Sequence, residues 1–408
     1  MPHSWRTPTV VLICATTIML LSFGIRQTYG LFVIPISSEF GWTRGVFSFA
    51  VALQSLIWGG AQPFLGVLAD RFGSAKVIAA SALVYVAGLY LMSVSTTPGA
   101  MIWSTAFLTG VAMSGTSFTL LLAVIGRSAP AGKRSLYLGI GSAGGSSGQF
   151  LVVPLGQYFI SSYGWVEALV LLALIAGIMV PLSAAVAEKT QTAHSFQRDQ
   201  TPGQALREAT HQPAYLLLTA GFFVCGFQTL FIGTHLPALL EDAGIPPDLG
   251  ATALALIGFF NVIGCLLWGA LGNRTSKKSM LSLLYLLRSV LMTAFFVLPI
   301  TELSIIVFAS LLGLLFLGTV PLTSGIVAQI FGVKYMAMLY GIVFLNHQIG
   351  SFLGIWLGGV LFDYTGSYDT VWWTAVALGV AAAIVNWPID ERTISREHTA
   401  TVADPAAG

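Results

Sequence analysis

The sequence predicts an all-α membrane protein, twelve transmembrane helices arranged as two pseudo-symmetric six-helix bundles. Apolar runs of about twenty residues recur twelve times along the 408-residue chain, and a hydrocarbon core of ~30 Å takes ~20 helical residues to cross. The chain is 56% hydrophobic and only 8% charged, with a mean hydropathy of +0.83, whereas soluble domains carry about 25% charged residues. The sequence also resembles itself at an offset of about 202 residues.

The spans fall at 9–37, 45–69, 77–95, 99–126, 136–160, 165–186, 213–240, 249–272, 279–299, 302–329, 336–362 and 369–388. Fifteen of the eighteen Lys and Arg residues, from Arg6 to Arg396, lie on the side that holds both termini. Arg44 alone lies on the other side, and Arg26 and Arg288 lie within spans. That bias predicts cytoplasmic termini and a multi-pass integral protein of the cell (inner) membrane. Asp and Glu divide evenly between the two sides, as expected of charges that contribute little to topology.

Span 1 has no small-residue cleavage site and runs into Pro35, so it reads as a retained helix rather than a signal peptide. Cys14, Cys225 and Cys265 sit inside spans and are expected to be free thiols, buried as small hydrophobes. Span 2 runs into Gly66-Val-Leu-Ala-Asp70-Arg71-Phe72-Gly73-Ser-Ala-Lys76. Here Gly66 would allow close helix contact, Asp70 could cap or pair with a helix end, and Gly73 would allow the turn into span 3. Span 4 carries Ser114, Thr116, Ser117 and Thr119. Span 5 is crowded with small residues from Gly139 to Gly148, then Pro154 and Gly156, and reads as a packing and rocking surface.

The long polar stretch 187–212 is predicted to be a cytoplasmic linker with a short surface helix at 202–210. It divides an N-terminal bundle (1–186) from a C-terminal bundle (213–389), followed by a cytoplasmic tail (390–408). Pro35 and Glu39 match Pro237 and Glu241; Gly66 and Arg71 match Gly269 and Arg274; Gly139, Gly148 and Gly156 match Gly341, Gly350 and Gly358. Parallel repeats of this kind give many secondary transporters their alternating access, with substrate held at the midplane.

The G-x-x-x-D-R-x-G-x-x-K string between spans 2 and 3 resembles the loop signature of the major facilitator superfamily. The second half keeps a decayed copy, Gly269-Ala-Leu-Gly-Asn273-Arg274 followed by Lys277 and Lys278. The resemblance covers nearly the whole chain and implies the major facilitator fold. Gly66, Asp70, Arg71, Gly73 and Arg274 would then form a gating loop, with turn and anchor as the structural alternative. Within the superfamily, Ile125-Gly-Arg127, Lys133-Arg134-Ser-Leu-Tyr-Leu-Gly139, Pro154-Leu and Tyr163-Gly164-Trp165 are similar to the monocarboxylate porter group. Animal members of that group carry an Asp and an Arg in span 8; Asn261 and Cys265 stand there in this chain. Proton symport by the group's mechanism is thereby put in doubt.

Arg26 lies near the middle of span 1. A central arginine costs roughly 2.5–3.5 kcal/mol even on the lenient insertion scale, and it cannot lose its charge. No Asp or Glu lies in the interior of any span, so the partner could be a substrate carboxylate, which a guanidinium binds bidentately. The alternative is an arginine satisfied by helix carbonyls. Ser22, Arg26 and Tyr29 share one helical face, and the repeat sets Gln228 opposite Arg26. Arg288 in span 9 is a weaker candidate, which carbonyls could equally satisfy.

Among neutral polar residues, span 7 presents Gln228, Phe231 and His235, and span 8 presents Asn261, Cys265 and Trp268. Span 11 carries Asn346-His347-Gln348, with Tyr340 and Ser351 on the His347 face, and span 10 adds Thr319, Thr323 and Ser324. Such runs are costly in lipid and usually face a cavity. His347 could move a proton or donate to an anion, or simply bridge two helices. The predicted substrate-binding set is therefore Arg26, Tyr29, Gln228, Asn261, Asn346 and His347.

The reading that follows is a monomeric secondary transporter for a small organic anion, a monocarboxylate above all, coupled to protons or to a counter-anion. A drug or solute efflux antiporter and a non-transporting sensor on the same scaffold are the alternatives. Neither catalytic residues, cofactor, metal site nor nucleic-acid partner is expected, because no metal cluster, nucleophile–base pair or cofactor fingerprint occurs at usable spacing.

Overall fold

The computed structural model describes residues 6–116, 118–130, 133–186, 202–332 and 336–394. Ser117, Lys189, Arg198, Lys334, Arg396, the linker over 187–201, the tail beyond 394 and the Arg134 side chain lie outside what is described. The spanning helices are α1 (Pro8–Phe40), α2 (Arg44–Phe72), α3 (Ser74–Ser93), α4 (Pro98–Ser128), α5 (Arg134–Tyr163) and α6 (Trp165–Val186). The second half supplies α7 (Pro213–Asp242), α8 (Pro247–Arg274), α9 (Lys277–Val297), α10 (Glu302–Phe331), α11 (Met336–Thr365) and α12 (Asp369–Asn386). Eleven of the twelve are long and apolar enough to cross a membrane. The other, α5, is 30 residues long, and its glycines, serines and glutamines dilute its hydropathy. A linker helix, Pro202–Thr210, stands where the sequence places one.

Helix boundaries follow local chemistry. Thr7 caps α1 by accepting from the Val10 amide at 3.3 Å, with Pro8 behind it where no amide is needed. Thr301 and Ser304 form a reciprocal capping box at the start of α10. Gly73, at φ 92°, makes the turn from α2 to α3.

The internal repeat is visible in the packing. In the first half α1 packs on α5, α2 on α4 and α3 on α6; in the second, α7 packs on α11, α8 on α10 and α9 on α12. Glycines set the closest approaches. A Cβ on Gly148 of α5 would land on the Leu20 carbonyl of α1, and one on Gly350 of α11 would land on the Phe223 carbonyl of α7. Gly66 behaves differently. Nothing lies within 4 Å of the Cβ position there, so the close helix contact expected of it is not made in this conformation.

Between halves, α2 lies along α11 and α5 along α8. At the end distal to the termini the halves are clamped. Arg44 at the start of α2 grips Asp242 at the end of α7 through both guanidinium nitrogens, each at 2.6 Å. The Arg44 and Gly45 amides donate to the Asp363 carboxylate of α11 at 2.9 and 2.8 Å. Arg44 also donates to the Tyr368 hydroxyl at 3.0 Å, and that hydroxyl lies 3.3 Å from Nδ1 of the buried His235. Below the clamp, α1 meets α7 through Thr28–Phe32 and Val33–Phe40. A Cβ on Gly30 would come within 2.6 Å of the Gly233 carbonyl.

Toward the terminal end the halves part. Phe64, Val67, Leu68 and Phe72 of α2 and Leu136 and Ile140 of α5 are exposed. Gly139 and Gly341 face open space. Asp70, Arg71 and Arg274 are exposed as well, and among the described residues they make no hydrogen bond or ion pair across the halves in this state. At that end the tail begins by docking, which the sequence reading did not anticipate. Glu391 accepts from the Lys278 amide at 2.8 Å and the Ser276 hydroxyl at 2.9 Å, capping α9.

Candidate functional site

The helix geometry of α1 fixes the centre of the site. The helix tightens to a 3-10 segment at Thr28–Phe32, immediately after Arg26. Arg26 thus lies just on the terminal side of the α1–α7 seal. Beside it Gln27 donates to Gln149 at 3.3 Å, and Gln149 donates to the Leu254 carbonyl of α8 at 2.9 Å, tying α1, α5 and α8 together.

Arg26 is 4% exposed, and its Nε and Nη2 atoms have no hydrogen-bond partner. Its guanidinium carbon is 5.5 Å from the Tyr29 ring centroid, a favourable contact that satisfies none of its N–H groups. The Tyr29 hydroxyl is likewise buried and unpartnered, close to Thr109, Tyr85 and Gln54. Tyr85 donates to the Ser22 carbonyl at 3.0 Å, and Ser22 shares a 2.7 Å hydrogen bond with Thr116, where α4 breaks. The structure therefore brings Ser22, Arg26 and Tyr29 together with α3 and α4.

Arg288 supplies an internal control. It is as deeply buried as Arg26, yet it donates to Gln228 Oε1 at 3.0 Å, to the Leu315 carbonyl at 2.7 Å and to the Phe316 carbonyl at 2.8 Å. Those carbonyls are freed where α10 breaks, between Leu315 and Thr319. Side chains from α8 complete the repair: Trp268 donates to the Leu314 carbonyl at 2.9 Å, and Asn261 accepts from the Leu317 amide at 3.0 Å. A buried unmatched polar group costs about 1–3 kcal/mol, more when charged. The second half meets that cost at both terminal nitrogens of its own arginine, leaving only Nε unmatched, and the first half leaves Nε and Nη2 unmatched.

Several predicted site residues have protein partners for their polar atoms in this conformation. Gln228 accepts from Arg288 and donates to the Ala375 carbonyl at 2.8 Å, so its amide is used within the second half. Asn261 serves the α10 break. Asn346 turns to α7 and donates to the Thr219 carbonyl at 2.7 Å. His347 is buried, with Nδ1 3.4 Å from Ser351 Oγ, and its ring stacks on Phe344 at 5.5 Å. His235 donates from Nε2 to the Ile355 carbonyl at 2.8 Å and belongs to the distal clamp.

Further polar atoms, on α2 residues that the sequence reading passed over and on Gln348 of α11, have no protein partner. Gln54 Oε1, Ser55 Oγ and Trp58 Nε1 of α2 and both amide atoms of Gln348 are buried without partners. The Trp58 ring stands 5.4 Å from Phe23, one turn before Arg26, and 5.6 Å from Phe344. A Cβ on Gly59, next to Trp58, would lie 2.9 Å from Gln348 Cγ. An aromatic bridge thus runs from the Arg26 face of α1 over α2 to α11. The signal in the sequence was a lone Gln-Ser pair and a Trp within the apolar run of span 2. Among the described residues no group of three or more His, Cys, Asp or Glu could hold a metal ion.

Comparison with known proteins bears on this arrangement. Residues 12–342 match the family described as Major Facilitator Superfamily. The chain is 23% identical over 370-odd residues to monocarboxylate transporter 13 of Rattus norvegicus, covering 89% of this chain and 84% of that protein. It is 24% identical to the oxalate:formate antiporter of Oxalobacter formigenes, covering 93% and 90%. A bacterial homolog of the human lysosomal transporter Spinster, solved in an inward-facing and occupied conformation, superposes with a TM-score of 0.73. That match has 15% identity and covers 94% of this chain and 97% of the other.

Proposed function

The chain belongs to the Major Facilitator Superfamily, and we propose that it is a secondary transporter whose substrate is a small organic anion, a monocarboxylate, paired with Arg26. It is a membrane transporter and not an enzyme. The observation that carries the substrate reading is the contrast between the two buried arginines. Arg288 has three acceptors and only its Nε is left without one, whereas Arg26 has a buried Nε and Nη2 and no acceptor from the protein among the described residues. A planar guanidinium with free N–H groups in a low-dielectric site is matched best by a carboxylate, held through two parallel charge-assisted bonds. The relatives named as carriers of carboxylates support the same class.

We orient the protein with both termini in the cytoplasm, so the distal clamp closes the outer side and the site opens inward. Residues 1–186 and 213–389 are the two halves that rock. Asp70 and Arg71 then become the inner latch, engaged when the outer clamp releases. Exchange of one anion for another follows from the charge. Reorienting the empty site would close both sides over an unpaired guanidinium cut off from water, and an uncompensated buried charge is strongly destabilising. Return with a second anion avoids that cost.

The test is uptake of radiolabelled monocarboxylates into proteoliposomes, with and without unlabelled anion inside. Internal anion is expected to accelerate uptake, and Arg26→Gln is expected to insert normally and to transport none. Arg26→Lys should keep part of the activity, having the charge without the fork. Wild-type rates in Arg26→Gln would refute the anion reading.

A further inference from the structure

We infer that the distal clamp is opened by a proton, and that His235 is the group that takes it. The donor and acceptor roles at the clamp lead there, independently of what pairs with Arg26. Nε2 of His235 lies 2.8 Å from the Ile355 carbonyl, which can only accept, so Nε2 carries a hydrogen. Arg44 can only donate, and its Nη1 lies 3.0 Å from the Tyr368 hydroxyl, so that oxygen accepts. The hydroxyl's own hydrogen is then left to point at Nδ1 of His235, 3.3 Å away. The run of bonds from Arg44 through Tyr368 and His235 to Ile355 is complete only when Nδ1 is bare and the imidazole neutral.

A proton on Nδ1 breaks this arrangement. Tyr368 would face two donors, its own hydrogen would lose its acceptor, and an imidazolium would stand one hydroxyl away from the Arg44 guanidinium. The ring cannot turn to water, because His235 is 0% exposed and is pressed against α11, where a Cβ on Gly358 would lie 2.4 Å from Cδ2. Among the described residues no carboxylate is bonded to it. Asp242 of α7 holds Arg44 with both oxygens, Asp363 of α11 serves the Arg44 and Gly45 amides, and Asp369 at the start of α12 accepts from Ser367. Glu241 of α7, Glu39 of α1 and Asp248 of α8 are exposed. A buried cation set beside another is strongly disfavoured. The clamped state therefore excludes the proton, and an opened clamp, in which water reaches the ring, admits it. A proton that binds the open state alone draws the population toward it as pH falls. An imidazole in water titrates near about pH 6.5, so going from about pH 7.5 to about pH 5.5 should raise the open-to-clamped ratio about tenfold.

Spin-label distances across the clamp of the purified full chain test this. The labels sit on Thr96→Cys, between α3 and α4, and Ala243→Cys, just past α7, exposed positions at the distal end of opposite halves. Cys14, Cys225 and Cys265 are replaced by alanine in every sample. The shorter, clamped distance should dominate at the higher pH, and the ratio of longer to shorter distances should rise about tenfold at the lower. His235→Gln, whose amide can donate to Ile355 and accept from Tyr368 without titrating, should keep the clamped distance and change by less than about twofold. No response with His235 in place, or an equal response in His235→Gln, as titration of Asp242 or Asp363 would give, overturns the proton gate at His235. Should His235→Gln fail to clamp, the native side chain is read directly, by its carbethoxylation with diethylpyrocarbonate at the higher pH, located by mass spectrometry. His235 should be protected in the wild type and react in Asp242→Asn, and equal extents in the two would overturn the proposal.

Discussion

Two arginines of equal burial differ in what surrounds them, and their substitution should separate them cleanly. Arg288 holds the broken α10 through the Leu315 and Phe316 carbonyls and holds Gln228 besides. Arg288→Gln is expected to lower stability by about 3–5 kcal/mol, because it strips a buried polar cluster of one partner. Arg26→Gln removes a charge whose Nε and Nη2 bond nothing, so the protein without ligand should melt at the same temperature or higher. Thermal unfolding of both variants in one detergent decides this. A large loss at Arg26 would mean that it is structural. The sequence marks both residues only as charges within spans. What distinguishes them is the position of the α10 break, a tertiary feature to which Gln228, Asn261 and Trp268 also respond. Polar residues that line a cavity and those that repair a broken helix look alike in a sequence. That is why three of the six residues expected to bind substrate, Gln228, Asn261 and Asn346, are found with side chains hydrogen-bonded within the second half.

Helices α1, α5, α7 and α11 cross at glycines, and the repeat reproduces those crossings residue by residue. Gly24 and Gly148 meet in the first half as Gly226 and Gly350 meet their partners in the second. The twelve spans, the linker helix and this repeat were legible in the sequence, because hydropathy and small-residue spacing depend on local composition. Which glycines make contact was not legible. Gly350→Leu should force α11 off α7, with an expected loss of at least about 1–3 kcal/mol from overpacking. Gly341→Leu, facing open space, should unfold as wild type does. Equal effects on thermal unfolding would contradict this account of the α7–α11 seam. The Gln54-Ser55 pair and Trp58 were equally present in span 2, but a few polar residues in a long apolar run carry a weak signal until the neighbouring helices show what they face.

For the molecule as a whole, the distal clamp is the feature that holds one conformation. Arg44 joins α2 to Asp242 and Tyr368, and its amide with that of Gly45 joins α2 to Asp363. Beneath it Thr234 is fully buried against Gly30. A cysteine introduced at Thr234 should resist a membrane-impermeant maleimide added outside, and Asp242→Asn should make it reactive by freeing α2 from α7. Unchanged labelling would show that the clamp does not govern opening. The central claim, that Arg26 is completed by a substrate carboxylate, is tested most directly by an experimental structure with bound 4-bromophenylacetate, located by the anomalous signal of bromine. The account predicts both carboxylate oxygens within about 3 Å of the Arg26 guanidinium nitrogens. A carboxylate bound elsewhere, with Arg26 bonded to protein carbonyls, would contradict it.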